Sequence, residues 1–202
     1  MPGPSPEIMI LACSPQAGGN TDAAAAVLRR VLAECGRAVE PVYLRDYHIL
    51  PCQGCNACAA PGNACVLVGK DDTQALLERL SSAKMVFWLS PVYFYHLPAQ
   101  AKALVDRAQA FWHARQQRVE SIMALPPRKA CPLLIAARSA GDNLFKGSLY
   151  TLQYCLKIFN IHLGEPLLLT GLDRPGELAV AVHEQRAIEQ WAHEALAEQA
   201  AG

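Results

Sequence analysis

Four cysteines stand within fourteen residues, at Cys52, Cys55, Cys58 and Cys65, in the stretch PCQGCNACAAPGNACVLVGKDD. The spacing Cys52-x2-Cys55-x2-Cys58 is compact enough for consecutive thiolates to reach different irons of one cubane. Cys65 can close the fourth corner of a [4Fe–4S] cluster, and with no second cysteine set in the chain that corner has to be local. Zinc is a second occupant, because four thiolates bind it tetrahedrally, although structural zinc sites more often pair two separated C-x2-C knuckles. Free thiols or a reversible cysteine pair are the third state of such a loop. Spacing alone leaves all three open.

Three further stretches carry polar or aromatic groups suited to a ligand. CSPQAGGNTD, residues 13–22, combines hydroxyls, amides and two glycines ahead of a helix. Free backbone N–H groups and a helix N-terminus favour a phosphate there, and an ordinary capped turn is the competing reading. The stretch matches neither the P-loop nor G-x-G-x-x-G. SPVYFYHLPAQAKALVDR places Tyr93, Phe94 and Tyr95 directly after an apolar run, where ring faces suit a flat conjugated ligand. Tyr95 is read as core cover and His96 as a hydrogen-bonded loop residue. Lys102, Asp106 and Arg107 are read as pairing on a helix surface. ARSAGDNLFKGS offers Ser139, Gly141, Asp142 and Asn143 as small polar groups, a common turn composition.

The elements that position these stretches follow from hydrophobic periodicity. Strands are expected at 8–12, 39–44, 85–90, 131–137 and 161–169. Helices are expected at 23–35 (stopping at Gly36), from Asp72 or Thr73 through Leu80, from Pro98 through Trp112, at 148–159 and at 182–197. Strands alternating with helices predict an α/β fold: a three-layer, doubly wound, five-stranded parallel sheet with helices on both faces. In such sheets ligands bind beyond the carboxyl ends of the strands. All four chemically suggestive stretches fall in loops leaving strands one to four, at 13–21, 45–72, 91–97 and 138–146.

The 202 residues fit one domain, 1–202, with the cysteine-rich loop at 45–72. Eighteen basic residues balance eighteen acidic ones, which gives no footprint for nucleic acid or an anionic membrane. No apolar run approaches a membrane span, and no basic residue precedes the first apolar run as in a signal peptide. A cytoplasmic protein is expected, where clustered cysteines more often mean metal or redox chemistry than disulfides. Cys35, Cys131 and Cys155 lie in apolar-periodic segments and are read as small hydrophobes.

The stretches ILACSPQAGGNTD, CQGCNACAAPGNACVLVGKDD and MVFWLSPVYFYHLPAQAKALVDR together resemble, in order and spacing, the flavodoxin-like NADPH-dependent FMN reductase family. Within it the iron–sulfur flavoprotein branch is the nearest likeness, sharing the spacing of the first three cysteines. The likeness runs from about Ile8 to Arg107 and continues weakly through TGLDRPGEL. The resemblance implies an oxidoreductase that binds FMN, its phosphate on Ser14, Gln16, Asn20 and Thr21. Its ring would lie against Pro91, Val92, Tyr93 and Phe94, flanked by Ser139, Gly141 and Asp142. It also implies electron transfer between a ferredoxin-type carrier or NAD(P)H and an acceptor, in a homo-oligomer (dimer or tetramer). The family's Gly-Ser-Pro-Arg opening reads Cys13-Ser14-Pro15-Gln16 here, which removes a positive charge from beside the phosphate. A cluster-free NAD(P)H-dependent FMN or quinone reductase is the alternative function. A non-enzymatic, zinc-bearing binding protein is the second. No general acid or base is identified.

Overall fold

Strict alternation of apolar side chains sorts each central strand onto two helical layers. A computed structural model describes residues 7–37 and 39–201; the reading of the N-terminal run before Glu7 lies outside them. The strands are β1 (Ile8–Ala12), β2 (Val42–Tyr43), β3 (Met85–Pro91), β4 (Arg128–Ile135), β5 (Ile161–Leu163) and β6 (Leu167–Leu169). Every pairing is parallel, in the order β2-β1-β3-β4-β5, with β6 also against β4.

The helices are α1 (Asn20–Glu34), α2 (Thr73–Ser82), α3 (Ala99–Arg107), α4 (Gln109–Gln116), α5 (Glu120–Met123), α6 (Lys146–Lys157), α7 (Glu177–Val180) and α8 (Val182–Ala201). Met9, Leu11, Val86, Trp88, Ala130 and Leu134 face α2, α3 and α6, meeting Leu77, Leu104 and Leu156. Their neighbours Ile8, Ile10, Phe87, Leu89, Leu133 and Ile135 face α1 and α8, meeting Leu28, Leu32 and Trp191. Burying each such side chain stabilises the fold by roughly 1.5–3 kcal/mol, so the two faces together hold the sheet between its helices. Among the described residues no helix is long and apolar enough to cross a membrane.

Several boundaries differ from expectation for local reasons. The second strand shrinks to two residues because Leu44 turns into a 3-10 helix, Leu44–Asp46. The fifth strand divides at Gly164-Glu165-Pro166: Ala130 pairs with Leu163, but Leu133 pairs with Leu167, so one extra residue is absorbed at the edge. Pro166 donates no N–H, which an edge strand tolerates. The helix after Pro98 breaks at Ala108 into α3 and α4, leaving Trp112 at 41 % exposure rather than in the core. Cys131 and Cys155 are buried as expected, and burial pushes their thiols up to about 11 and about 12. Cys35 instead is exposed, ending α1 beside His193 with Sγ 3.8 Å from Nδ1.

Gly36 closes α1 as the periodicity predicts. Its φ of +73° lets Arg37 N–H reach Leu32 O and its own N–H reach Ala33 O. Gly36→Ala is expected to lower stability by about 1 kcal/mol, measured by urea unfolding, since only the left-handed backbone is penalised and no atom lies within 4 Å of the added Cβ.

Candidate functional site

The carboxyl ends of β1, β3 and β4 are extended by single hydrogen bonds, which fix where the loops depart. Cys13 N–H donates to Leu89 O, Val92 N–H to Ile135 O and Ala136 N–H to Leu169 O. The first loop then folds on itself: Ser14 Oγ bonds the backbone of Gln16, and Gly18 N–H donates to Asp22. Among the described residues the N–H groups of Ser14, Ala17, Gly19, Asn20 and Thr21 have no acceptor. Those donors, the buried Thr21 and the positive end of a fifteen-residue helix form a nest suited to phosphate.

The side chain of Asn20 has a different task from the one its neighbours allow. Its Nδ2 donates to Leu172 O and Arg174 O, and its Oδ1 accepts from Leu178 N–H. The amide thus ties the start of α1 to α7 and the segment before it, and the backbone N–H is the group left without a partner among the described residues. Asp22, in the first turn of α1, takes a two-point ion pair from Arg45 at 2.8 and 2.9 Å, and Arg45 also covers the Tyr43 ring at 4.4 Å. A guanidinium therefore does stand at this helix end, delivered by the loop after β2.

The third loop is a tight turn in which Tyr93 and His96 exchange backbone hydrogen bonds. Its two central residues, Phe94 and Tyr95, have φ of +49° and +65°, a conformation bulky side chains rarely adopt. Packing holds the strain. Tyr95 O lies against Gly147 at the start of α6, its hydroxyl accepts from Arg138, and His96 pairs with Thr151 at 2.9 Å. Tyr95, 40 % exposed, therefore joins the third loop to the fourth and does not cover the core. Pro91 and Val92 are half-buried, Tyr93 is exposed, and the Phe94 side chain stands wholly in solvent. Ser139, Gly141 and Asp142 are exposed beside this turn, with Gly171 packed on Ser139.

Loop 45–72 is built at its neck. His48 N–H donates to Asp72 Oδ2 and Asp72 N–H to His48 O; Leu50 N–H donates to Asp71 Oδ2. Arg107, at the end of α3, closes the neck with Nη1 on Asp71 Oδ2 at 2.6 Å and on Leu50 O at 3.0 Å. Both side chains are buried, at 2 % and 0 % exposure, so Arg107 is not the surface partner expected; Lys102 and Asp106 do pair on the helix exterior. Burial works to raise the Asp71 carboxyl, but Arg107 and the donors of Leu50 and Thr73 outweigh it and hold it at about 2. Asp72 precedes α2 as expected, yet its carboxylate serves the neck while Asp71 meets Thr73.

Above the neck Cys52, Cys55, Cys58 and Cys65 line one cavity of about 260 Å³, walled by their own loop on one side and by Asp106, Arg107, Ala110 and His113 around the α3–α4 break on the other. Burial, then the nearby thiols of Cys65, Cys52 and Cys55, push the Cys58 thiol up. Among the described residues no three histidine, cysteine or acidic side chains converge as they would on a single ion. None of the first, third or fourth loop residues named above lines this cavity; α3, about 13 Å long, separates the third loop from Arg107. The sequence reading missed three tertiary ties: Asp71–Arg107, Asp22–Arg45 and Asn20 with its three backbone partners. Only the first had a local signal, in the two aspartates that follow the cysteine run.

A 2-1-3-4-5 parallel sheet whose crossover rim carries free amides and aromatic rings is flavodoxin-like in class. The chain belongs to the NADPH-dependent FMN reductase family, which it matches over residues 6–128. That family is one of oxidoreductases, and the fold is flavodoxin-like. An iron-sulfur flavoprotein of Methanocaldococcus jannaschii is 34% identical over 96 residues, 48% of each chain. One from Methanosarcina thermophila is 32% identical over 95 residues, 47% of this chain and 48% of the relative. The chain spans about half the length of the curated relatives it matches.

Among solved structures, an NAD(P)H:quinone oxidoreductase from Methanothermobacter marburgensis superposes with a TM-score of 0.64 at 15% identity, covering 92% of this chain and 94% of that one. An FMN-dependent NADH-azoreductase from Bacillus anthracis in complex with FMN gives 0.63 at 13%, covering 93% and 97%. At these identities the likeness establishes the fold.

Proposed function

We propose that this chain is an iron–sulfur flavoprotein that passes electrons between a reduced carrier, of ferredoxin type or NAD(P)H, and FMN, and on to an acceptor. The observation that carries this reading is the common cavity of about 260 Å³ that Cys52, Cys55, Cys58 and Cys65 line. Such an arrangement suits a cubane, whose thiolates each hold a different iron, better than a zinc ion held by all four. When bound, the cluster supplies one-electron steps and the flavin one- or two-electron steps, so the pair converts between carriers.

The protein's part is to bind and orient. The free N–H groups of residues 14–21, with Ser14, Gln16 and Thr21, would receive the FMN phosphate, and Asn20 would contribute its backbone N–H while its amide fixes the loop. Pro91, Val92, Tyr93 and Phe94 would lie along the ring, with Ser139, Gly141 and Asp142 at its polar edge. The exposed aromatic rings of Phe94, Tyr150 and Tyr154 fit a homo-oligomer in which a second subunit covers them. No nucleic-acid or membrane partner is part of this proposal.

Anaerobic purification tests the reading. Flavin with roughly four iron and four acid-labile sulfide per chain is expected. Flavin alone, bleached by NAD(P)H, would establish the cluster-free reductase instead. A colourless, zinc-bearing protein that takes up no FMN would overturn both.

The turn at 93–96 offers a separate check. A Cβ on Gly147 would lie 2.6 Å from Tyr95 O, closer than any such contact allows. Gly147→Ala is expected to displace the turn and weaken FMN binding by about tenfold or more, about 1.4 kcal/mol, in a flavin fluorescence titration.

A further inference from the structure

Among the described residues three buried side-chain polar atoms lack a hydrogen-bond partner: Trp88 Nε1, Arg107 Nε and Ser148 Oγ. Of these residues only Arg107 also lines the cavity walled by the four cysteines. It is 4 % exposed, and no protein atom fills the gap in its bonding. A guanidinium has five N–H donors and no acceptor. Nη1 serves Leu50 O and Asp71 Oδ2, and Nη2 reaches Asp71 Oδ1 at 3.4 Å. The Nε–H has no acceptor. A fold keeps such a donor unfavourably unless a ligand supplies the acceptor. Thiolates and sulfides are negatively charged acceptors, and hydrogen bonds to sulfur are among the features that set a cluster's potential.

We infer that Arg107 donates its Nε–H to a sulfur of the cluster held by Cys52, Cys55, Cys58 and Cys65, and so raises the potential at which the cluster is reduced. The inference rests on the iron–sulfur reading above. Reduction brings one electron from a one-electron carrier and transfers no atom: the cluster gains one negative charge, the carrier loses one electron, and Arg107 keeps its proton. A charge-assisted donor holds the more negative form more strongly, which sets the direction. Asp71 balances the Arg107 charge, so a hydrogen bond from Nε would act apart from the effect of a nearby cation.

The test compares wild-type protein with Arg107→Lys and with the double variant Asp71→Asn/Arg107→Met. Both leave the net charge unchanged and remove Nε. Midpoint potentials come from dithionite titrations followed by electron paramagnetic resonance, after iron and sulfide are counted. A potential lower by about 59 mV, a tenfold change in the one-electron equilibrium, is expected in either variant that loads. Wild-type protein grown on 15N-arginine is expected to show a nitrogen coupling to the reduced cluster in pulsed spectra, a readout that needs no variant. An unchanged potential or a missing coupling in loaded protein would overturn the Arg107 assignment and leave the cluster standing. Wild-type protein without iron and sulfide would overturn the cluster reading itself, and this inference with it.

Discussion

Cys58→Ser protein, purified without oxygen, is expected to keep its flavin and to carry almost no iron or sulfide. Cys58 is the most enclosed of the first three cysteines, half-buried on the 3-10 turn Ala57–Ala59, and the other three thiols stand near enough to act on it. A serine hydroxyl there removes a thiolate from the middle of the set, so no subset of the remaining three keeps the spacing a cubane needs. The flavin should survive because no residue assigned to it lines the cysteine cavity. The measurement is iron, sulfide and flavin per chain on the same sample. Iron and flavin lost together would mean that the cysteine loop shapes the flavin site. Iron unchanged would remove Cys58 from the ligand set.

The second large effect lies at the neck of that loop. Asp71→Ala is expected to cost about 3–5 kcal/mol in urea unfolding, because it leaves the Arg107 guanidinium buried without its counter-charge. The same pair makes stability depend on acid. Asp71 is held at about 2 in the folded chain, below its ordinary value of 3.8. A depressed carboxylate contributes fully above the unfolded value and loses that contribution as pH falls through the folded one. Roughly 2 kcal/mol should therefore disappear between about pH 4 and pH 2. Asp71→Asn should flatten this part of the pH profile. An acid limb that persists in the variant would mean that other carboxylates, such as the exposed Glu7 with its Lys84 and Arg37 partners, carry it instead.

The central strands β1, β3 and β4 and the helices α1, α2, α6 and α8 were legible in the chain because each buries a whole face, which forces a repeat of two or of about 3.6 residues. The edges were less so. A two-residue β2 and a fifth strand divided by Gly164 and Pro166 depend on what lies beside them, and periodicity carries no such information. Trp112 and Cys35 sit at apolar-periodic positions yet face outward, because a break at Ala108 turns one helix and a helix end exposes the other.

The candidate site divides along the same line. Sequence by itself determined which residues could do chemistry, since cysteine spacing and the loops leaving parallel strands are local properties of the chain. Tertiary structure alone decided where those residues act. It placed the cysteine cavity against the α3–α4 break, one short helix from the aromatic turn. It brought Arg45 to the helix end that Gln16 leaves without a charge, and it buried Arg107 against Asp71. The two ion pairs join groups 23 and 36 residues apart, and the cavity joins groups farther apart still. Such pairs are chosen by the packing that encloses them, because an ion pair or an unmet donor matters most where water is excluded.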